Sequence, residues 1–144
     1  YVTVAREVRR TIGRASVVYA MQHSGSVRYY GGRLSGRYDT MADPWIDRSV
    51  DWLSARGIRS YLLVDDWEVP LLRERFAGRR LVERLDDPPL LHYIGTSEVF
   101  LYDLSEPRDP LIPVVTVRDT YEDTRSVAPV RLPPIQFDAS STLP

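Results

Sequence analysis

The chain of 144 residues has no cysteine, no lysine and no asparagine. Without cysteine there is no disulfide, thiol nucleophile, iron–sulfur cluster or thiolate zinc site. Without lysine there is no Walker-type phosphate-binding lysine, no Schiff base and no Ser–Lys dyad. Without asparagine there is no N-glycosylation sequon. All 19 basic residues are arginine, first of all a signature of a GC-rich genome. Arginine would also pair bidentately with carboxylates and phosphates. Long apolar runs are missing too. The longest span only a few residues, against the roughly 20 that cross a bilayer. No secretory leader is visible.

What remains is enough for one core. A protein of 16.6 kDa buries about two thirds of its extended-chain surface on folding. The net charge of -1 argues against a broad nucleic-acid surface, so nucleic acid is not expected as a partner. The first residue is Tyr1 rather than Met, which reads as the cut end of a larger protein.

Periodicity sets out an alternating order. Val4, Val8 and Ile12 stand four apart and predict a helix over 1–14 with an arginine-rich outer face. The run at 15–21 predicts a buried strand. A turn at 22–26 comes next, with Ser24 placed to cap a short helix at 27–32. Residues 34–39 alternate weakly, as a second strand would. The best-marked helix is 44–56, with Asp43 as N-cap, Pro44 in its first turn and Gly57 beyond its end. Ile46, Val50 and Leu53 form its apolar stripe, and Trp45 and Trp52 are expected to widen it. Residues 58–64 predict a central strand, followed by a helix that begins on a capping box of Asp65 and Glu68 and ends at Gly78. Further strands are expected at 81–85, across LLHYIG, and most strongly at 98–104.

The expected fold class is α/β: a three-layer Rossmann-like sheet with helices on both faces, mixed at its C-terminal edge. Residues 1–104 are expected to form the compact domain. Seven of the 11 prolines lie in 105–144, which reads as a C-terminal extension, partly extended or disordered. Within it, IPVVTVR is either an edge strand or a segment lying across the surface.

Two places could carry chemistry. Small residues after the first strand, QHSGS, could expose backbone N–H groups to an anion. His23, Ser24 and Ser26 sit in that turn, and Arg28, Arg33 and Arg37 come soon after. They suggest a pocket for a phosphate, pyrophosphate or sugar at the carboxyl edge of the sheet. The alternative is local: Ser24 caps, His23 bonds a neighbouring loop and the arginines pair with acids. The turn has no GxGxxG pattern. His23 adjoins Ser24, a poor geometry for a base and its nucleophile, so a triad with Asp65 or Asp66 is the weakest reading. At the second place, Asp65, Asp66 and Glu68 could take a divalent metal or sugar hydroxyls, or simply cap the helix. His92 has no second histidine at ligand spacing and reads as an ordinary, partly buried side chain.

The run VVYAMQHSGSVRYYGGRLSGRYD, then WLSARGIRSYLLVDDWEVPLLRERFAG and VFLYDL, resembles a segment of bacterial membrane glycosyltransferase-like proteins related to the dolichyl-phosphate-mannose mannosyltransferase group, family 39. The resemblance covers about residues 1–104. It implies a non-catalytic domain on the extracytoplasmic side of a bacterial membrane, tied to the transmembrane portion of its parent. Its expected role is to help bind a polyprenyl-phosphate sugar or a glycan acceptor, or to aid assembly. The parent's catalytic acids lie in a different loop, often with a divalent metal. No residue here inherits a catalytic role, and no cofactor is implied for this segment. The alternatives are a stand-alone sugar- or phosphate-binding module and a small enzyme acting on a phosphate ester or sugar nucleotide.

Overall fold

The computed structural model describes residues 1–119. The rest of the extension expected at 105–144 lies outside the described residues. The elements alternate: α1 (Val2–Thr11), β1 (Ser16–Tyr19), α2 (Ser24–Tyr29), β2 (Leu34–Gly36), α3 (Asp43–Ser54), β3 (Arg59–Asp65), α4 (Val69–Arg75), α5 (Arg80–Glu83), β4 (Leu91–Ile94), β5 (Glu98–Asp103) and β6 (Val115–Arg118). Six strands form one sheet in the order β2-β1-β3-β5-β4-β6. β1 pairs parallel with β2 and β3, and β4 pairs parallel with β6. β5 alone runs the other way, antiparallel to both β3 and β4. This is a mixed α/β fold with a multi-strand sheet flanked by helices, Rossmann-like in its general arrangement.

Strand alternation divides the core in two. Val18, Tyr61, Leu63, Tyr93, Val99 and Leu101 face α1 and α2, against Val4, Val8, Ile12 and Val27. Tyr19, Leu62, Val64 and Tyr102 face the other way, against Ile46, Val50, Leu72, Phe76, Leu81 and Leu85. β3 is buried from Ser60 to Asp65, as expected of a central strand covered on both faces. Tyr19 reaches across to α3, its hydroxyl 2.6 Å from Ser49 Oγ.

Three local expectations change. Residues 81–85 are not a strand: α5 and a 3-10 turn at Arg84–Asp86 occupy them. Leu81 and Leu85 are buried while Glu83 between them is exposed, which suits one helical face and not a two-residue repeat. Asp43 lies inside the first turn of α3 rather than at its N-cap, and its Oδ2 sits 3.4 Å from Arg79 Nε. Trp45 and Trp52 do not widen the buried stripe: each is 56% exposed. Arg48 and Arg56 cover their rings at 5.4 and 3.7 Å from the ring centroids, a cation–π pairing at the surface. Of the two readings of IPVVTVR, the edge strand is the one observed: Val115–Arg118 docks on β4.

No helix among the described residues is long and apolar enough to cross a membrane.

Candidate functional site

Three parallel strands, β1, β3 and β4, end on the same edge of the sheet. The residues at and just beyond their C-terminal ends therefore converge there. β1 leads into His23, β3 finishes on Asp65, and β4 turns through Gly95, Thr96 and Ser97 into β5. Alternation along β3 puts Asp65 on the same face as Tyr61 and Leu63, toward α1 and α2. His23, Asp65, Thr96 and Ser97 line a cleft of about 410 Å³, with Tyr1 at the start of α1, Val4 within it, Tyr93, Val99, and Asp119 just past β6. That volume lies within the usual range for small-molecule sites.

Asp65 is the centre of the cleft's polar groups and is only 4% exposed. Ser97 Oγ donates to its Oδ1 at 2.8 Å. His23 Nε2 stands 3.1 Å from its Oδ2, off the ideal hydrogen-bond direction. The main chain of Asp65 is held as well. Its N–H donates to Glu68 Oε2 at 3.0 Å, and the Glu68 N–H returns a bond to the Asp65 carboxylate. The capping box read from the sequence is thus present, and it fixes Asp65 at the strand end.

His23 is 2% exposed, and its Nδ1 has no partner among the described residues. The Tyr1 ring packs against its ring, tilted by 57°, at 4.9 Å between centroids. Burial pulls the imidazole pKa below its ordinary value, against an upward pull from the Asp65 charge. On the other wall, the Tyr93 hydroxyl donates to Asp119 Oδ2 at 2.5 Å. Burial first, then this bond, push the Tyr93 pKa up to about 12.

The other sequence-predicted residues go elsewhere. Ser24 does not cap α2: its hydroxyl donates to Met21 O at 3.1 Å, and no side-chain bond caps the helix. Ser26 donates to His23 O at 3.0 Å. Both serines fold the turn onto itself. Arg33 is buried, and its guanidinium donates to Arg9 O at 3.0 Å and Ile12 O at 2.8 Å. It closes the C-terminal end of α1, where carbonyls lack helical partners. Arg37 is engaged by Asp39 in an exposed ion pair. Arg28 and Asp66 are exposed and line none of the cleft.

Glu68 is 1% exposed and lies on the far side of the Asp65 main chain. It lines a smaller cavity of about 130 Å³ with Tyr38, Leu72 and Phe76. Burial raises its pKa above the ordinary carboxyl value. Burial also raises that of Tyr38, and the neighbouring Glu68 charge adds to it.

The anion pocket expected from QHSGS and three arginines is therefore not assembled: His23 alone of those six residues lines the cleft. Sequence reading missed Ser97, Tyr93 and Asp119, which arrive from the second half of the sheet. The one signal for Ser97 and Tyr93 was the small-residue hairpin turn GTS between LLHYI and EVFLYD, which must close on the carboxyl edge. His92 stays outside the cleft, 2.6 Å from Glu98 and stacked on Phe100. Among the described residues, no group of three or more His, Asp or Glu side chains is placed to hold a metal ion.

Chemically, the cleft offers carboxylate and imidazole acceptors, hydroxyls that both donate and accept, and two phenol rings. It suits a ligand rich in hydroxyl groups. Comparison with protein-family models, with curated proteins and with solved structures finds no match to this chain.

Proposed function

We propose that this chain is a non-catalytic, ligand-binding domain of a polyprenyl-phosphate-sugar-dependent membrane glycosyltransferase-like protein, and that its carboxyl-edge cleft binds sugar hydroxyls of the glycan acceptor. The fold is then a three-layer Rossmann-like unit that uses the strand-end crevice usual for such sheets. The observation that carries the reading is the array of half-buried Ser97 with buried Asp65 and His23 in an open cleft. A carboxylate already fixed by a serine hydroxyl and a backbone N–H is preorganised to accept from a further hydroxyl.

Acceptor sugar is favoured over carrier phosphate on the same ground. No arginine lines the cleft among the described residues; Arg33 Nη2 bonds Arg9 O and Ile12 O, and Arg37 pairs with Asp39. A phosphate would meet Asp65 and Asp119 with no guanidinium to offset them.

Titration calorimetry tests this directly. Neutral manno- and gluco-oligosaccharides should bind saturably, and Asp65→Asn and Ser97→Ala should each weaken them. Binding of inorganic phosphate with no response to any oligosaccharide would overturn the reading. The parent assignment has its own test. Several apolar spans should precede this segment in the complete reading frame, and a start codon directly before Tyr1 would remove it.

A further inference from the structure

The charge of the cleft narrows its ligand beyond a sugar. Two carboxylates, Asp65 and Asp119, line it, and no arginine does among the described residues. Arg118 neighbours Asp119 in sequence, but strand alternation sends it to the face opposite Val117, which packs on the α1 side. Glu7 lies close enough to raise the Tyr93 pKa, and its own charge is met by Arg10 at 2.5 Å. His23 is the one histidine in the cleft, and burial favours its neutral form. The side chains of the cleft therefore leave it net negative.

The polar groups inside it are also short of donors. Asp65 receives one hydroxyl and one backbone N–H, and its Oδ2 has no well-directed bond. His23 Nδ1 is buried without a partner among the described residues. Asp119 receives the Tyr93 hydroxyl, and Asp119 itself is exposed. Tyr1 and Tyr93 add ring surface beside these carboxylates. Carboxylates beside aromatic faces form the usual surroundings of a bound cationic nitrogen.

From this arrangement we infer that the ligand of the cleft carries a positively charged nitrogen among its hydroxyls: an amino sugar with a free amine. The inference rests on the reading of the cleft as a sugar site and names the chemistry that distinguishes its ligand. The ammonium sits between Asp65 and Asp119 against the tyrosine rings, and the hydroxyls face Ser97 and His23. Its positive charge offsets the negative charge that the two carboxylates leave in the cleft.

The test compares matched probes on the 144-residue chain with its α-amino group acetylated, because a free amine on Tyr1 would compete in the cleft. Glucosamine oligomers should bind about tenfold or more tightly than their N-acetylated, neutral counterparts at low salt. Added salt should shrink that preference. Asp119→Asn, at an exposed position, should reduce the preference. Equal affinity for both series would overturn the inference and leave the sugar reading standing. Failure of both series to bind would overturn the two together. A preference untouched by Asp119→Asn and by Asp65→Asn would place the amine elsewhere and overturn the inference as well.

Discussion

His23 Nε2 lies 3.1 Å from Asp65 Oδ2, and this contact joins the ends of the neighbouring parallel strands β1 and β3. The two side chains are 42 positions apart in the chain. Both are almost fully removed from water. The pair is the pivot of the cleft, because Asp65 also holds Ser97 from the β4–β5 turn. Burial lowers the His23 pKa, and the Asp65 charge opposes that effect. Removing the charge while keeping the shape should let burial act alone. Asp65→Asn is thus expected to titrate His23 at a lower pH than wild type in an NMR pH series. An unchanged or higher value would show that Asp65 does not set the imidazole's charge.

Arg33 gives a second prediction, about stability. Its guanidinium satisfies carbonyls of Arg9 and Ile12 at the end of α1. Arg33→Ala leaves those carbonyls short of a donor in a buried place, a loss of about 1–3 kcal/mol. Arg33→Lys should recover only part, since one ammonium cannot span what the planar fork spans. Urea unfolding of both variants checks this. Wild-type stability in Arg33→Ala would mean that water replaces the fork without cost.

The same residue shows what the sequence makes legible and what it does not. In sequence Arg33 reads as an anion ligand because it comes after a small-residue turn, and it is a helix-end clamp because α1 packs beside α2. That contact is tertiary and leaves no trace in local spacing. Where a signal is local, it is readable. Pro44 at the start of α3, Gly57 at φ 72° beyond its end and the Asp65–Glu68 capping box are all visible in the chain. The leucines at 81–85 fit a strand face as well as a helical one, and only the exposure of Glu83 between them separates the two. The cleft is half legible. His23 and Asp65 each stand at a strand end in sequence, but only strand order makes β1 and β3 neighbours. Asp119 cannot be placed without knowing that β6 pairs with β4.

Two glycines of the α2 region should respond in opposite directions to the same methyl group. A Cβ on Gly31 would stand 2.5 Å from Val27 O and 3.1 Å from Ala5 O, where α2 closes against α1. Both obstacles are backbone and cannot rotate away. Gly31→Ala should cost about 1–3 kcal/mol, the usual range for forced overpacking. Gly25, inside α2, has nothing within 4 Å of such a Cβ. Gly25→Ala should stabilise by about 0.5–1 kcal/mol through helix propensity. Thermal unfolding of the two variants measures the contrast, and equal shifts would refute the close α1–α2 approach.

Stability should depend on pH through two buried groups that act in opposite senses. For His23 the folded pKa lies below the ordinary 6.5. Between those values the unfolded chain binds a proton that the native state does not. Stability from this group is therefore present above 6.5 and is lost as pH falls toward the folded value. For Glu68 the folded pKa lies above the ordinary 4.5. Here the native state keeps the proton, so its contribution is fullest below 4.5 and declines as pH rises through the folded value. Where the windows overlap the slopes oppose each other, and wild type should show a flattened profile. Single variants separate them. His23→Gln should remove the loss of stability on acidification below 6.5 and expose the opposite slope of Glu68. Glu68→Gln keeps an acceptor for the Asp65 N–H and carries no charge, so it should gain on wild type as pH rises above 4.5. Urea midpoints taken from about pH 4 to about pH 8 read both slopes. If either variant kept the wild-type profile, burial of that side chain would not be what couples its proton to folding.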